Sequence, residues 1–566
     1  MTTRPLDIAS HLATDHEPLG RMRRALVVAV LVLAALLRIV ALDTHPLPYH
    51  QDELSDIYDG YSIATTGADR AGQRFPILAR GMGPGGFTPA LNLYICAITS
   101  SIGGLSVWVM RMPAVIGGLA SVWLVFLLAR RLMGSTGGIL AMAFVAFSPI
   151  HILYSRQLHM GVFLQPLYTV LILYLLDRCL VAARSPSSYR AGLMGVGVLG
   201  FAIGSSSFTY VSCRITAPLL ALVALVWIVI AYRAQGKPWR HLLQTTAILV
   251  GSVVIGASPT IYSAIAMPDR FFARGGHLIP SLGQGVEWWA KWLGRNLADN
   301  LDPNYLFFSF GEHYQLSIAR LGVAALPFLY IGMVSIVVGS IVRRDPRLAI
   351  IPIGMAIALV PGVICRGNPS PMRTSGVWVL YPIICAYGTI VVGRWIDRML
   401  RSVFVGLGSV NADRAGGLVR RRVAIATVTT AIALCGLGYA VRYAQRPDLQ
   451  RIDSQYFFVE IGRWLRDHGH EYERVYIDRR GLFGYLYIAA FSGMTPVEYQ
   501  QTPREGYVSP VGWDYVERLG RYHFKSSEQA QTDWIKAGQK RPWLVIRSLE
   551  DMTELLPRNE ITASRR

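Results

Sequence analysis

Apolar residues run in long blocks between Ala25 and Ala440, separated by short polar or basic stretches. A helical block of roughly 17 to 25 residues is long enough to cross the ~30 Å hydrocarbon layer of a bilayer. The pattern predicts a mainly α, polytopic membrane protein of about 11 spans. The predicted spans are 25–42, 106–129, 137–153, 160–176, 191–208, 215–232, 242–263, 321–342, 348–364, 375–393 and 423–441.

The apolar blocks stop at about residue 441, and a different pattern follows. Short β-rich runs at Arg474–Ile477 and Trp543–Ile546 alternate with helical patterns at Phe457–Asp467 and Ser527–Ala537. This alternation is typical of a small α/β domain. We therefore divide the chain into a polar tail (1–24), a membrane domain (25–441) and a C-terminal soluble domain (442–566).

Composition agrees with a membrane protein, since 52% of residues are hydrophobic and only 16% are charged. The net charge of +20 does not indicate nucleic-acid binding, because the basic residues lie between apolar blocks and not on a soluble surface. The six cysteines lie in or beside apolar segments and form no CxxC pair. This distribution predicts neither a zinc site nor a disulfide framework.

One apolar segment, 88–104, is ambiguous, because every later loop changes sides if it spans the membrane. If it lies at the outer interface, the short cytoplasmic loops and the amino-terminal tail carry 22 Lys and Arg, against four in the short outer loops. The positive-inside rule favours this arrangement. It predicts a cytoplasmic amino terminus and an extracytoplasmic carboxyl terminus, with large outer loops at 43–105 and 263–320.

The first outer loop contains an acidic segment that follows the first span. A helix that begins near Asp52 places Asp52, Asp56 and Asp59 on one stripe, and Leu54 and Ile57 on another. Carboxylates in a first helical turn commonly stabilise the helix dipole, which is the alternative to a functional interpretation. In the functional interpretation a carboxylate accepts the proton of an acceptor hydroxyl.

The residues around this segment resemble the first-loop signature of family 39 glycosyltransferases of the GT-C superfold, relatives of protein O-mannosyltransferases and lipid A aminoarabinose transferases. The resemblance covers about the first 395 residues. The matching residues are Asp52-Glu53, Tyr58, Tyr61-Ser62, Thr66-Gly67, Asp69, Gly72, Pro76, Arg111-Met112-Pro113, Ser148-Pro149-Ile150-His151, Tyr154-Ser155-Arg156, Phe208-Thr209-Tyr210, Arg214, Asn304–Phe308, Gly311, Asn368-Pro369, Arg373 and Pro382.

The resemblance implies a helical membrane module with interfacial helices in the first outer loop and a polyprenyl-phosphate sugar donor. It also implies inversion at the anomeric carbon and transfer to a hydroxyl acceptor on a glycolipid, a protein or an envelope glycan. Asp52 carries over as the general base, with Glu53 as its neighbour. Asp56, on the same stripe as Asp52, is a separate candidate for substrate binding. The implied location is the bacterial inner membrane.

The four basic residues of the short outer loops are all arginines: Arg156, Arg214, Arg366 and Arg373. Guanidinium groups at this interface suit a departing lipid phosphate, although arginine at a helix end also reaches lipid headgroups without any catalytic role. Tyr210 is a further candidate for substrate binding.

Glu312 and His313 in the second large outer loop are also candidates for substrate binding, although they depart from the family's pattern. Glu312 and Asp52 together suggest a divalent cation only weakly, so we expect no metal or other cofactor. A transporter or lipid-linked sugar flippase, or a polysaccharide ligase, is the alternative function. A transporter would favour inverted repeats and charges within spans, which the sequence does not show clearly.

Overall fold

The structure is a computed structural model. It describes residues 19–82, 85–159, 161–183, 189–281, 283–308, 321–343, 346–367, 369–405, 455–478, 483–508 and 514–526, with shorter pieces at 430, 434, 436–438, 441, 529, 532–533, 536 and 543–546.

The described chain is mainly helical. The helices in chain order are α1 (Arg21–Ile39), α2 (Gln51–Thr66), α3 (Leu91–Gly103), α4 (Val107–Ala146), α5 (Pro149–Tyr154), α6 (Leu164–Ala183), α7 (Tyr189–Ser206), α8 (Cys213–Ala234), α9 (Trp239–Gly256), α10 (Ser258–Ala266), α11 (Pro268–Leu278), α12 (Val286–Leu301), α13 (Leu326–Arg343), α14 (Pro346–Ile364), α15 (Leu380–Val405), α16 (Tyr456–His468), α17 (Gly484–Phe491) and α18 (Pro496–Gln501). A π-helical turn covers Asn304–Phe308, and 3₁₀ turns cover Val323–Ala325, Ser375–Val379 and Gly469–Glu471.

The chain forms two compact units, each built from segments that are distant in sequence. The first comprises Met1–Pro46, Pro89–Leu91 and Arg111–Leu449. The second comprises Leu47–Thr88, Asn92–Met110 and Gln450–Arg566. The second unit therefore joins the loop between α1 and α4 to the C-terminal segment.

The first unit has the helices of a multi-pass membrane protein, as the sequence predicts. Among the described residues, six helical segments are long and apolar enough to span a bilayer, or seven if α9 and α10, bent by 60°, form one span. The six are Val107–Ala146, Leu164–Ala183, Cys213–Ala234, Val323–Val342, Arg347–Ile364 and Ser375–Met399.

The difference from 11 predicted spans has physical reasons. Two predicted spans, 106–129 and 137–153, fall mostly within α4, in which the non-helical backbone of Gly134 (φ 76°, ψ 177°) separates two helical halves. Helix α1 carries arginines at both ends, and the apolar part of α7 is short. Most of the predicted span 423–441 lies outside the described residues.

Glycines allow close packing between membrane helices of the first unit. A Cβ atom at Gly204 of α7 would lie 2.1 Å from the carbonyl oxygen of Val253 in α9. A Cβ atom at Gly332 of α13 would lie 2.2 Å from the carbonyl oxygen of Ile384 in α15. Small residues let helix backbones approach in membranes, where lipid supplies no hydrophobic driving force between helices.

The second unit contains α2, α3 and the C-terminal α/β domain. A two-stranded sheet pairs β1 (Leu78–Arg80) with β2 (Phe87–Pro89). The strands of the second sheet are β3 (Arg474–Ile477), β4 (Arg504–Val508), β5 (Asp514–Leu519), β6 (Tyr522–Phe524) and β7 (Trp543–Ile546). Their order is β4-β5-β6-β3-β7, and β3 pairs in parallel with β6 and β7.

This domain confirms the α/β pattern in the C-terminal sequence. Both predicted strands and the helix predicted at Phe457–Asp467 are present. Most of the helix predicted at Ser527–Ala537 lies outside the described residues. In the first loop, α3 has 13 residues and is about 20 Å long, which is too short to cross the hydrocarbon layer.

Candidate active site

The helix that carries the predicted base begins at Gln51, close to the predicted start. His50 caps it, because its Nδ1 accepts a hydrogen bond of 3.2 Å from the backbone N–H of Asp52. The side chain of Asp52 is 17% exposed, whereas the neighbouring Glu53 is fully buried. Asp52 is therefore the more accessible carboxylate of the first helical turn.

The other two carboxylates of the acidic stripe, Asp56 and Asp59, are buried. Asp56 is 4% exposed and accepts a hydrogen bond of 2.6 Å from the Nδ2 atom of Asn92 in α3. Asp59 is 2% exposed, and its Oδ2 atom lies 3.2 Å from the Nη1 atom of Arg70. Polar partners compensate this burial, as the cost of burying carboxylates requires.

Arg70 reaches Asp59 from the loop that follows α2. Its backbone N–H donates to Asp59 Oδ1 at 3.0 Å, and its guanidinium donates to the hydroxyl of Ser55 and to the carbonyl of Arg80. Burial raises the pKa of Asp59 to about 6, against the opposing effect of Arg70. Asp59 is therefore ionised at neutral pH and paired, which makes it a structural carboxylate.

Helices α2 and α3 make a very close contact beside these carboxylates. A Cβ atom at Gly60 would lie 2.2 Å from the Cβ atom of Cys96. Burial raises the pKa of the Cys96 thiol, and Asp56 and Glu53 raise it further. Cys96 is therefore a neutral packing residue, not a nucleophile.

Tyr487 of α17 is a residue of this site that the sequence analysis missed. It is fully buried, and its hydroxyl donates a hydrogen bond of 2.8 Å to the carbonyl of Tyr49. Burial raises the pKa of Tyr487, and the nearby carboxylates of Asp52 and Glu53 raise it further. No sequence signal identifies this residue, because 438 positions separate it from its hydrogen-bond partner.

The predicted arginines lie in the first unit, and Arg156 binds the end of α1. Its Nε, Nη1 and Nη2 atoms donate hydrogen bonds to backbone carbonyls at the end of α1 and just beyond. The accepting residues are Leu37, Val40, Ala41 and His45. Arg156 thus donates to the carbonyl of Leu37 in the last turn of α1 and to carbonyls of the segment that follows this helix.

Arg214 has a different environment at the start of α8. Its Nη1 atom donates to the carbonyl of Phe271 at 2.8 Å, and its guanidinium lies 4.2 Å from the centre of the Phe271 ring. Its Nε and Nη2 atoms are buried and have no hydrogen-bond partner among the described residues. The predicted residue Tyr210 is also buried, in the turn just before α8.

Arg366 contacts both Arg373 and the end of α11. The backbone N–H of Arg366 donates to the carbonyl of Leu278 at 2.7 Å. The Nη1 atom of Arg373 donates to the carbonyls of Arg366 and Gly367. Arg366 itself is exposed.

Helix α11 contributes a further arginine that the sequence analysis missed. Burial raises the pKa of the Cys365 thiol, and the positive charges of Arg373 and Arg274 oppose that rise. Phe271 and Leu278 are about 10 Å apart along the helix axis. Two predicted arginines therefore meet α11, Arg214 through its guanidinium and Arg366 through its backbone N–H, whereas Arg156 contacts α1.

A sequence signal for Arg274 exists in α11. Arg270, Arg274 and His277 recur at helical spacing, and Arg274 lies on the same side of the helix as Phe271 and Leu278, three residues after the first and four before the second. The comparison of Lys and Arg on the two sides of the membrane covered only short loops, and α11 lies in the long loop 263–320. Glu312 and His313 lie outside the described residues. The structure therefore describes only Asp52 of the two carboxylates considered for a divalent cation.

The comparisons with known proteins agree with the predicted resemblance. Residues 88–256 match the family model described as dolichyl-phosphate-mannose-protein mannosyltransferase. No sequence among curated proteins matches significantly.

Solved structures share the fold over nearly the whole chain. ArnT from Cupriavidus metallidurans bound to undecaprenyl phosphate is 14% identical, with a TM-score of 0.56 and 94% of each chain covered. Its apo form is 13% identical, with a TM-score of 0.51, 94% of this chain and 91% of that chain covered. The GT-C type fold is thereby confirmed.

A more distant likeness involves archaeal oligosaccharyltransferase AglB from Archaeoglobus fulgidus, in complex with an inhibitory peptide and a dolichol-phosphate. It is 12% identical, with a TM-score of 0.48 over 83% of this chain. The chain spans 64% of AglB's length.

Proposed function

We propose that this protein is an inverting glycosyltransferase that moves a sugar from a polyprenyl-phosphate carrier to a hydroxyl acceptor at the outer face of a bacterial inner membrane. The observation that carries the proposal is the fold shared with ArnT over 94% of both chains. That ArnT structure contains undecaprenyl phosphate. The family model over 88–256 supports the same class of donor.

In the proposed reaction the acceptor oxygen attacks the anomeric carbon of the donor sugar. The carboxylate of Asp52 accepts the hydroxyl proton as the new glycosidic bond forms. The bond between the anomeric carbon and the phosphate oxygen breaks, and the lipid phosphate leaves with the bonding electron pair. The accessibility of Asp52 relative to Glu53 supports its role as the base.

Arginines stabilise the charge that develops on the leaving phosphate. Arg214 is the strongest candidate, because two of its buried nitrogens have no hydrogen-bond partner among the described residues. Arg366 and Arg373 are further candidates through their contacts near α11. We assign Arg156 to holding the end of α1, since its three guanidinium nitrogens bind carbonyls there. Tyr210, Glu312, His313 and Asp56 remain proposed substrate contacts.

The experiment compares Asp52→Asn with the control Asp467→Asn, whose carboxylate forms an exposed ion pair in α16. Each variant is expressed in a strain that lacks the gene, and envelope glycolipids and glycans are measured by mass spectrometry. We expect Asp52→Asn to reduce the modification by about 10²- to 10⁴-fold, the usual contribution of a general base. Normal modification by this variant would remove Asp52 as the base.

Binding of undecaprenyl phosphate to the purified protein tests the arginine assignment separately. Arg214→Ala is expected to raise the Kd about tenfold, because a charge-assisted hydrogen bond is lost. Arg233→Ala, an exposed arginine in the last turn of the same helix, is the matched control with an unchanged Kd. Equal Kd values for the two variants contradict the role of Arg214. Movement of sugar lipid that is insensitive to Asp52→Asn would instead favour a transporter or flippase.

A further inference from the structure

The C-terminal domain contacts the first-loop helix α2 near its start. There, besides the hydrogen bond from Tyr487 to Tyr49, the Tyr49 ring stacks on Phe491 with ring centres 5.6 Å apart. The Nε2 atom of Gln455 donates to Oε1 of Gln51 at 2.8 Å. These contacts fix the residues that immediately precede Asp52.

The middle and far end of α2 are also held by the C-terminal domain. Tyr499 of α18 packs edge-on against Tyr58, with ring centres 5.6 Å apart. The side-chain amide of Gln500 donates to the hydroxyls of Ser62 and Thr66 and to the carbonyl of Asp69. Helix α2, about 24 Å long, is therefore fixed along its whole length.

We propose that the C-terminal domain is a working part of the transfer site, in which Tyr487 and Gln500 are positioning residues that fix α2 and thereby orient the Asp52 carboxylate. This proposal rests on the proposed function of Asp52. A general base must reach the acceptor proton at hydrogen-bond distance, and a displacement of 1 Å can cost about 10²-fold in rate. Tyr487 acts three residues before Asp52, at the carbonyl of Tyr49, without itself contacting the acceptor.

The tyrosines that make these contacts are buried. Tyr49, Tyr58, Tyr487 and Tyr499 are all nearly inaccessible to solvent. Nearby carboxylates and burial keep the Tyr487 hydroxyl protonated, so it remains a hydrogen-bond donor across the physiological pH range. Water cannot readily replace a buried donor of this kind, so its removal leaves the carbonyl of Tyr49 without this bond.

The test uses Tyr487→Phe in the full chain, which removes only the hydroxyl. Tyr476→Phe is the matched control, because Tyr476 is a buried tyrosine of the same domain that lies on β3. We measure kcat for sugar transfer and, separately, KM for the polyprenyl-phosphate sugar donor. The Kd for undecaprenyl phosphate is measured as well. The expected result is a kcat about tenfold lower for Tyr487→Phe, with KM and Kd within twofold of the unchanged protein. Tyr476→Phe is expected to retain the original kcat.

Gln500→Ala provides a second variant at the other end of α2, should Tyr487→Phe fail to fold. It is also expected to lower kcat with little change in KM. An unchanged kcat in the folded variants overturns the positioning role, even if their thermal stability falls. If Asp52→Asn is inactive in the same assay while these variants are fully active, only this inference fails. If Asp52→Asn is active, the proposed function fails first.

Discussion

At the scale of single residues, the ion pair of Arg70 and Asp59 predicts a pH-dependent defect. Arg70→Met leaves the buried Asp59 carboxylate without its cation, which should cost about 3–5 kcal/mol of unfolding free energy at pH 7.5. Arg70 opposes the rise in the pKa of Asp59, so its loss raises that pKa further above about 6. Asp59 of the folded variant then binds a proton at pH values at which the same residue of the unfolded chain, with its lower pKa, is ionised. Acidification to pH 5.5 therefore favours the folded variant and should reduce the loss of unfolding free energy.

The measurement is the thermal unfolding midpoint of the detergent-solubilised full chain at both pH values. Arg466→Met is the control, because Arg466 and its partner Asp467 are both 58% exposed and form a surface pair 3.0 Å apart. We expect no measurable shift for that control. A midpoint deficit for Arg70→Met that is equal at pH 5.5 and pH 7.5 contradicts the linkage to Asp59.

At the scale of elements, the sequence predicts α2 well but not its environment. The local spacing of Asp52, Asp56 and Asp59 places the three carboxylates on one stripe, and α2 begins where expected. Burial of that stripe depends on Asn92 and Arg70, which lie beyond the helix. A local pattern cannot identify such partners, because helical periodicity reports only which side chains share a face.

The close contact of α2 with α3 gives the prediction at this scale. Gly60→Ala should lower the unfolding free energy by about 1–3 kcal/mol, because the new Cβ atom would overlap Cys96 and force the helices apart. The thermal unfolding midpoint measures this effect. Gly251→Ala in α9 is the control, since a Cβ atom there meets nothing within 4 Å. Equal midpoints for both variants would show that the helices separate without cost.

At the scale of the whole molecule, hydrophobic blocks predict the membrane fold because a bilayer requires long apolar helices. They do not predict that the first loop and the C-terminal domain form one compact unit. The contacts of Gln500 with Ser62 and of Tyr487 with Tyr49 each join residues 438 positions apart. Such pairings depend on the shapes of two folded surfaces, which neither segment encodes alone.

The predicted membrane topology is tested by labelling single introduced cysteines in intact cells. The five native cysteines among the described residues are buried, so their reaction should be slow. Ala71→Cys in the first outer loop should react with a membrane-impermeant maleimide before permeabilisation. Gln235→Cys, after α8, should react only after permeabilisation. Ala71 and Gln235 are both exposed.

Gln235 decides between the two arrangements that the charge count compared. If 88–104 spans the membrane, Gln235 moves to the outer side and is labelled in intact cells, while Ala71 remains outside in either case. The 13 residues of α3 are too few for a span, and the positive-inside rule also favours a cytoplasmic Gln235. Labelling of Gln235→Cys in intact cells would therefore show that every loop after 88–104 lies on the side opposite to the predicted one. The arginines at α11 would then face the cytoplasm, where the proposed outer-face reaction cannot use them.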